Sequence, residues 1–242
     1  MGSSPLTVGL LVFPDLTQLD LTGPYEVFSR APGTRVVLVG TRRGPIRSEW
    51  GLMLGTDCTL DEAPPLDVLC VPGGVGVNAL LADDAVLDFV AARSPRAATK
   101  SRTARGERAA WVTSVCTGAL VLGAAGLLRG YRATTHWLSL ELLSELGAAS
   151  VQARVVRDRN RITGGGVTAG IDFALTLVSE LRGRDVAERI ALMLEYAPAP
   201  PFRAGSPAEA PPALVGAVRS DRARVQQERR TLVQEVVHRR GL

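Results

Sequence analysis

Cys116 stands where a run of strand formers gives way to a run of small helix formers. Trp111, Val112, Thr113 and Val115 belong to a short, nearly uninterrupted apolar segment. From Gly118 to Leu128 the chain is small and aliphatic, with Leu120, Val121, Ala124 and Leu128 at helical spacing. A cysteine at that joint reads as a nucleophile on a strand-to-helix turn, held in a strained backbone with its side chain turned away from the sheet. Such an elbow asks for small residues two before and two after the nucleophile, and Ser114 and Gly118 supply them. A helix N-terminus favours a thiolate at Cys116, and the backbone N–H of Thr117 is aimed where an anion would develop. The competing reading is an inert buried cysteine, since free Cys is among the most buried residue types. The small-x-Cys-x-Gly pattern on a strand–helix joint favours the elbow.

A nucleophile needs a partner that moves protons. Asp20 lies between two leucines, an awkward place for a carboxylate unless it is hydrogen-bonded. Taken alone it reads equally well as a cap or turn residue ahead of Thr22-Gly23-Pro24, a Gly-Pro pair expected to interrupt the helical segment from Leu16 to Phe28. Asp67 to Gly76 reads as a strand running into a glycine loop, where Gly73 and Gly74 let backbone N–H groups approach a ligand. It is not a phosphate loop, because the Lys and Ser/Thr of that motif are missing. His136 ends a short strand from Gly130, and Gly164-Gly165-Gly166 opens a helix over Thr168 to Leu181. That glycine run is either a second close-approach loop or a plain strand-to-helix connection.

The elements that must position these residues alternate along the chain. Strands are expected at Leu6 to Phe13, Arg35 to Gly40, Asp67 onward, Trp111 to Val115 and Arg161 to Thr163, with a broken edge excursion from Ile46 to Thr59. Helices are expected between them, including Asp83 to Ala92, Leu138 to Leu146 and Arg184 to Tyr196. This alternation implies an α/β fold with a mainly parallel sheet covered on both faces. Loops at the carboxyl ends of such strands converge, so Asp20, the Gly73-Gly74 loop and Cys116 can share one crevice. A proline-rich arm begins at Ala197, and a last helix from about Pro212 to Arg240 carries Leu214, Val218, Val225, Leu232 and Val236 at heptad-like intervals. That stripe calls for a partner surface, either its own domain or a second subunit.

Composition narrows the classes. The chain has 242 residues, 46% hydrophobic and 21% charged, which suits one α/β domain, expected over 1–196, with an extension over 197–242. Three cysteines (Cys58, Cys70, Cys116) without CxxC spacing and two histidines argue against a zinc site, and Cys70 and Cys58 read as structural. The net charge of +4 is unevenly spread. Six basic residues fall in a loop insertion at 93–108 and eight arginines between Arg203 and Leu242, while the remaining body holds 14 basic residues and 19 acids. That distribution reads as solvated surface, not as a nucleic-acid groove. No apolar stretch is long enough to span a bilayer and no signal pattern opens the chain, so a cytoplasmic location is expected.

Several segments, in order, carry a resemblance. The Pro72-Gly73-Gly74 loop and the Val115-Cys116-Thr117-Gly118 elbow resemble the ThiJ/PfpI superfamily of class I glutamine-amidotransferase-like proteins. Gln18 to Pro24, Arg132 to Trp137, Gly164 to Phe173 and Leu194 to Phe202 resemble the isocyanide (isonitrile) hydratases within it. The resemblance implies a flavodoxin-like three-layer sandwich, a homodimer, and hydration of an isocyanide to an N-substituted formamide without metal or organic cofactor. It implies Cys116 as nucleophile and Asp20, in place of the glutamate of many superfamily members, as general acid/base with a raised pKa. The N–H groups of Gly74 and Thr117 would orient substrate, with Gly73, His136, Gly165 and Val167 near the crevice and His136 in a hydrogen-bonding role.

Rival readings follow from the same residues. A glyoxalase- or deglycase-like enzyme of this fold is disfavoured by aspartate at position 20. Similar domains form the N-terminal half of AraC-type regulators, but those continue into two helix-turn-helix units needing roughly another hundred residues. A redox sensor would oxidise Cys116 instead of using it in turnover.

Overall fold

The computed structural model describes residues 5–93 and 110–242. The basic insertion at 93–108 lies, apart from Arg93, outside the described residues.

The strands of the first half of the chain are β1 (Leu6–Val12), β2 (Thr34–Gly40), β3 (Ile46–Arg47) and β4 (Met53–Leu54), which form a hairpin of their own, β5 (Cys58–Thr59) and β6 (Val68–Val71). Between and after them run α1 (Gln18–Arg30), α2 (Val77–Ala82) and α3 (Asp84–Ala92). Asp83 starts α3 by accepting N–H bonds from Ala85 and Val86, satisfying donors that a helix start leaves open. The second half comprises β7 (Trp111–Val115), α4 (Gly118–Ala124), β8 (Arg132–Ala133), α5 (Leu142–Glu145), β9 (Ala149–Ser150), β10 (Val155–Asp158), β11 (Arg161–Gly164), α6 (Ala169–Arg182) and α7 (Arg184–Met193). Two helices end the chain, α8 (Pro212–Asp221) and α9 (Ala223–Arg240).

Among the described residues the main sheet has seven strands in the order β10-β11-β7-β6-β1-β2-β5. Every pairing is parallel except the β10–β11 hairpin. The central strands read as near-continuous apolar runs because helices cover both faces; Val68, Leu69, Cys70 and Val71 of β6 are all buried. The parallel strands β2-β1-β6-β7-β11 run 2-1-3-4-5 in chain order, the flavodoxin-like arrangement. The order reverses between β1 and β6, so the crevice above their carboxyl ends is where this topology places a ligand. The three-layer α/β expectation holds.

Three local expectations change. Helix α1 runs straight through Gly23 and Pro24. Pro24 has no N–H to give the carbonyl four residues earlier, that of Asp20, yet its ring seats against Gly170 of α6, where a Cβ would come within 3.1 Å of the ring. Phe28 and Phe173 meet edge to face 5.8 Å apart and fix the same pair of helices. Tertiary packing outweighs the lost bond. The segment after His136 is not one helix: it is a 3-10 turn at Trp137–Ser139 followed by the short α5. The terminal helix breaks at Arg222, and α9 packs in cis on α2, α4 and α5, burying Val233 and Val236.

Candidate active site

Cys116 sits at φ +53° between β7 and α4, a left-handed conformation that costs a non-glycine residue energy and persists only where its surroundings fix it. Two hydrogen bonds do so. The Cys116 N–H donates to the Gly164 carbonyl at 3.0 Å, and the Thr135 hydroxyl donates to the Cys116 carbonyl at 2.7 Å. Gly118 is small because β6 leaves it no room. Its Cβ would lie 2.0 Å from the Val71 carbonyl oxygen and 2.7 Å from that of Pro72, so the start of α4 is wedged against the end of β6.

Asp20 projects from the first turn of α1 and is fully buried. Its Oδ2 accepts the Gly73 N–H at 2.9 Å, while Oδ1 has no hydrogen-bond partner among the described residues. Burial pushes the carboxyl up to about 7 against the opposing Gly73 N–H and the Cys116 thiol, and the Glu49 charge adds to the rise. Cys116 is also raised, first by burial and then by the Asp20 charge, while the Thr117 N–H and the Arg229 cation pull it down. Two like charges so close in a dry site cannot both form, so around neutrality the pair holds at least one proton.

The glycine loop closes the site from β6. A Cβ on Gly73 would lie 2.6 Å from the Thr117 nitrogen and 2.8 Å from Asp20 Oδ2. Gly74, at φ +132°, donates its N–H to Thr117 Oγ1 at 3.0 Å, so this group is engaged within the protein. The Thr117 N–H instead lies against the Cys116 sulfur, whose ionised form it favours. Thr134 donates its N–H to Thr163 Oγ1 at 2.9 Å, tying the Thr134-Thr135-His136-Trp137 segment to β11. His136 Nδ1 accepts the Leu138 N–H at 3.4 Å, and burial together with Arg229 and Arg222 lowers its pKa to about 4. A neutral ring with Nδ1 accepting carries its proton on Nε2, so His136 is not a base toward Cys116.

A cavity of about 250 Å³ opens on Cys116 and Thr117, with Gly74, His136 and Val167 in its wall. Gly165 is not in that wall; it borders a second cavity of about 640 Å³, and a Cβ there would meet the Ala153 carbonyl at 2.9 Å. The cavity has a further wall, from a tail whose arginines read in the sequence as solvated surface and whose apolar stripe called for a partner surface. Val218, Arg222, Val225, Gln226 and Arg229 of the C-terminal segment line it, and Arg229 is only 3% exposed. Arg222 pairs with Glu49 at 3.4 Å, and Glu49 also accepts from the Thr17 hydroxyl. The available signal was the spacing Val225, Arg229, Val233, Val236, which sets an arginine on the apolar face of α9.

Residues 7–180 match the DJ-1/PfpI family. The chain belongs to that family. Among DJ-1/PfpI relatives, a protein of Pseudomonas putida named isonitrile hydratase is 53% identical over 214 residues, 88% of this chain and 89% of that one. The crystal structure of a ThiJ/PfpI family protein from Pseudomonas syringae is 42% identical and superposes with a TM-score of 0.86, covering 95% of this chain and 91% of that one. A helix-turn-helix-type transcriptional regulator of Pseudomonas aeruginosa is 29% identical over 80% of this chain, which spans about half of its length. Among the described residues no helix is long and apolar enough to cross a membrane.

Proposed function

We propose that this DJ-1/PfpI protein is an isonitrile hydratase, converting R–N≡C and water to R–NH–CHO. The observation that carries the reading is the buried Cys116–Asp20 pair at the switch-point crevice, one a strained thiol and the other a carboxyl held near 7. The P. putida relative, 53% identical over most of both chains, supports the same assignment.

The residues divide the work as follows. The Cys116 sulfur bonds to the isocyanide carbon while the proton held by Asp20 passes to that carbon, giving the thioimidate R–N=CH–S–Cys116. Asp20, now a carboxylate, takes a proton from water as its oxygen adds to the same carbon, and returns it to the nitrogen. The carbon–sulfur bond then breaks, the hydroxyl oxygen becomes the formamide carbonyl, and its proton restores the pair. Oδ1, buried without a protein partner, is the atom free to exchange these protons. The Thr117 N–H steadies charge on sulfur before attack and again as it leaves. The resemblance to the hydratases also supports a homodimer, a cytoplasmic location and turnover without metal or organic cofactor.

The test is formation of the formamide from an alkyl isocyanide, followed by chromatography. Wild-type protein should turn over, Cys116→Ala should not, and Asp20→Ala should be slowed by at least a hundredfold, the scale of general acid–base catalysis (about 10²-fold or more). Wild-type turnover no faster than Cys116→Ala sinks the reading. Mass spectrometry under the same conditions should show the adduct on the Cys116 peptide alone.

A further inference from the structure

Arg229 reaches from α9 to the catalytic cavity, where it is 3% exposed. Its hydrogen bonds go to neutral oxygens among the described residues: Nε to Asn78 Oδ1 at 2.8 Å, one terminal nitrogen to Ser139 Oγ at 3.2 Å, the other to the Gly74 carbonyl at 3.2 Å. A residue that only strapped the tail to the loop would not need a charge, because an uncompensated buried cation costs several kcal/mol. The ionisable groups around it are Cys116, Glu49, Arg222, Glu228 and His136. Arg222 repels it and His136 is neutral. Glu49 is engaged by Arg222 and the Thr17 hydroxyl. Glu228 is exposed, and Cys116, with Arg229 in the same cavity wall, is the remaining group there whose ionisation would answer the cation.

We propose that Arg229 is a charge-positioning residue: it draws the single negative charge of the Cys116–Asp20 pair onto the sulfur and leaves the proton on the carboxyl. Two further observations point the same way. The cation favours ionised Cys116, whereas the charge acting on Asp20 from outside the pair is that of Glu49, which favours a protonated carboxyl. The Gly74 carbonyl that accepts from Arg229 also accepts from the Thr117 hydroxyl at 3.2 Å, so the guanidinium is anchored to the loop that bears on both members of the pair. The C-terminal helix is then part of the chemistry.

This inference rests on Cys116 being the nucleophile but not on the substrate being an isocyanide, so it is tested with iodoacetamide. Asn78→Asp keeps the shape and the oxygen that Arg229 Nε contacts, and sets a negative charge beside the guanidinium. The rate of Cys116 alkylation, read by mass spectrometry across a pH series on the full chain, should fall about tenfold near neutrality, with the profile moved up by about one unit. Arg229→Gln should do the same, and Arg229→Lys should stay near the wild-type profile. An unmoved Cys116 profile in folded Arg229→Gln or in Asn78→Asp, whatever the melting temperature does, overturns the proposal. If Arg229→Gln does not fold, Asn78→Asp decides alone. Wild-type protein that forms no formamide, while the variants shift Cys116 alkylation as expected, would count against the proposed reaction and leave the role of Arg229 standing.

Discussion

The Gly73 N–H and Asp20 Oδ2 are 2.9 Å apart, and the glycine that donates has no room for a side chain, because its Cβ would stand 2.8 Å from that same oxygen. One hydrogen bond therefore ties the identity of a loop residue after β6 to the position of a carboxylate on α1. Gly73→Ala should displace both Asp20 and Thr117 while leaving the sheet intact. The expected outcome is a loss of about 1–3 kcal/mol in denaturant unfolding, the usual cost of overpacking, together with near-complete loss of formamide production. Wild-type turnover in a folded Gly73→Ala protein would show that Asp20 is not held for catalysis.

Asp20 should also govern how stability responds to pH. Its carboxyl is raised to about 7 in the folded protein from an ordinary value of 3.8. The native state thus binds this proton more tightly than the unfolded chain does. That contribution is fully present below about pH 4 and is lost as pH rises through about 7. Asp20→Asn removes the penalty of ionising a buried acid, so it should melt higher than wild type above about pH 7, with the difference shrinking toward pH 4. Melting curves that keep a constant offset across this window would mean the carboxyl titrates elsewhere.

Thr135 holds the strained Cys116 through that residue's backbone. Thr135→Val keeps the shape but removes the hydroxyl that donates to the Cys116 carbonyl at 2.7 Å. A buried acceptor stripped of a partner costs about 1–3 kcal/mol. The variant should unfold at lower denaturant and turn over more slowly with little change in KM, since the cavity wall is unchanged. An unaltered kcat would show that the elbow holds its conformation without this bond.

Gly118→Ala should be the most damaging small change in the chain. Its Cβ would meet backbone oxygen of Val71 at 2.0 Å, which no side-chain rotation can relieve. The expected result is insoluble protein, or a loss of about 4 kcal/mol or more, in the exceptional tail of single substitutions. A well-folded Gly118→Ala protein would show that α4 can withdraw from β6.

Much of this site was legible in the residues alone. The switch from strand formers to small helix formers around Cys116 marked the elbow, because the two element types differ in period and residue preference. The fold class followed from the alternation of buried strands and helices, since parallel strands need covered faces. Asp20 was found less directly: between two leucines it was equally a turn residue, and the resemblance in the segments around it assigned its role. Tertiary structure alone decided the rest. A proline that should break α1 is tolerated because Gly170 on a distant helix receives its ring. The Gly74 N–H is taken by Thr117, a partner 43 positions away. An arginine in a basic tail, read from composition as solvated, is buried in the wall of the cavity that holds Cys116 because α9 folds back over α2 and α4. Local sequence fixes period, propensity and turn chemistry, all short-range properties of the chain. Which arginine joins the cavity wall around Cys116 depends on contacts between segments more than a hundred residues apart, and no short-range rule encodes them.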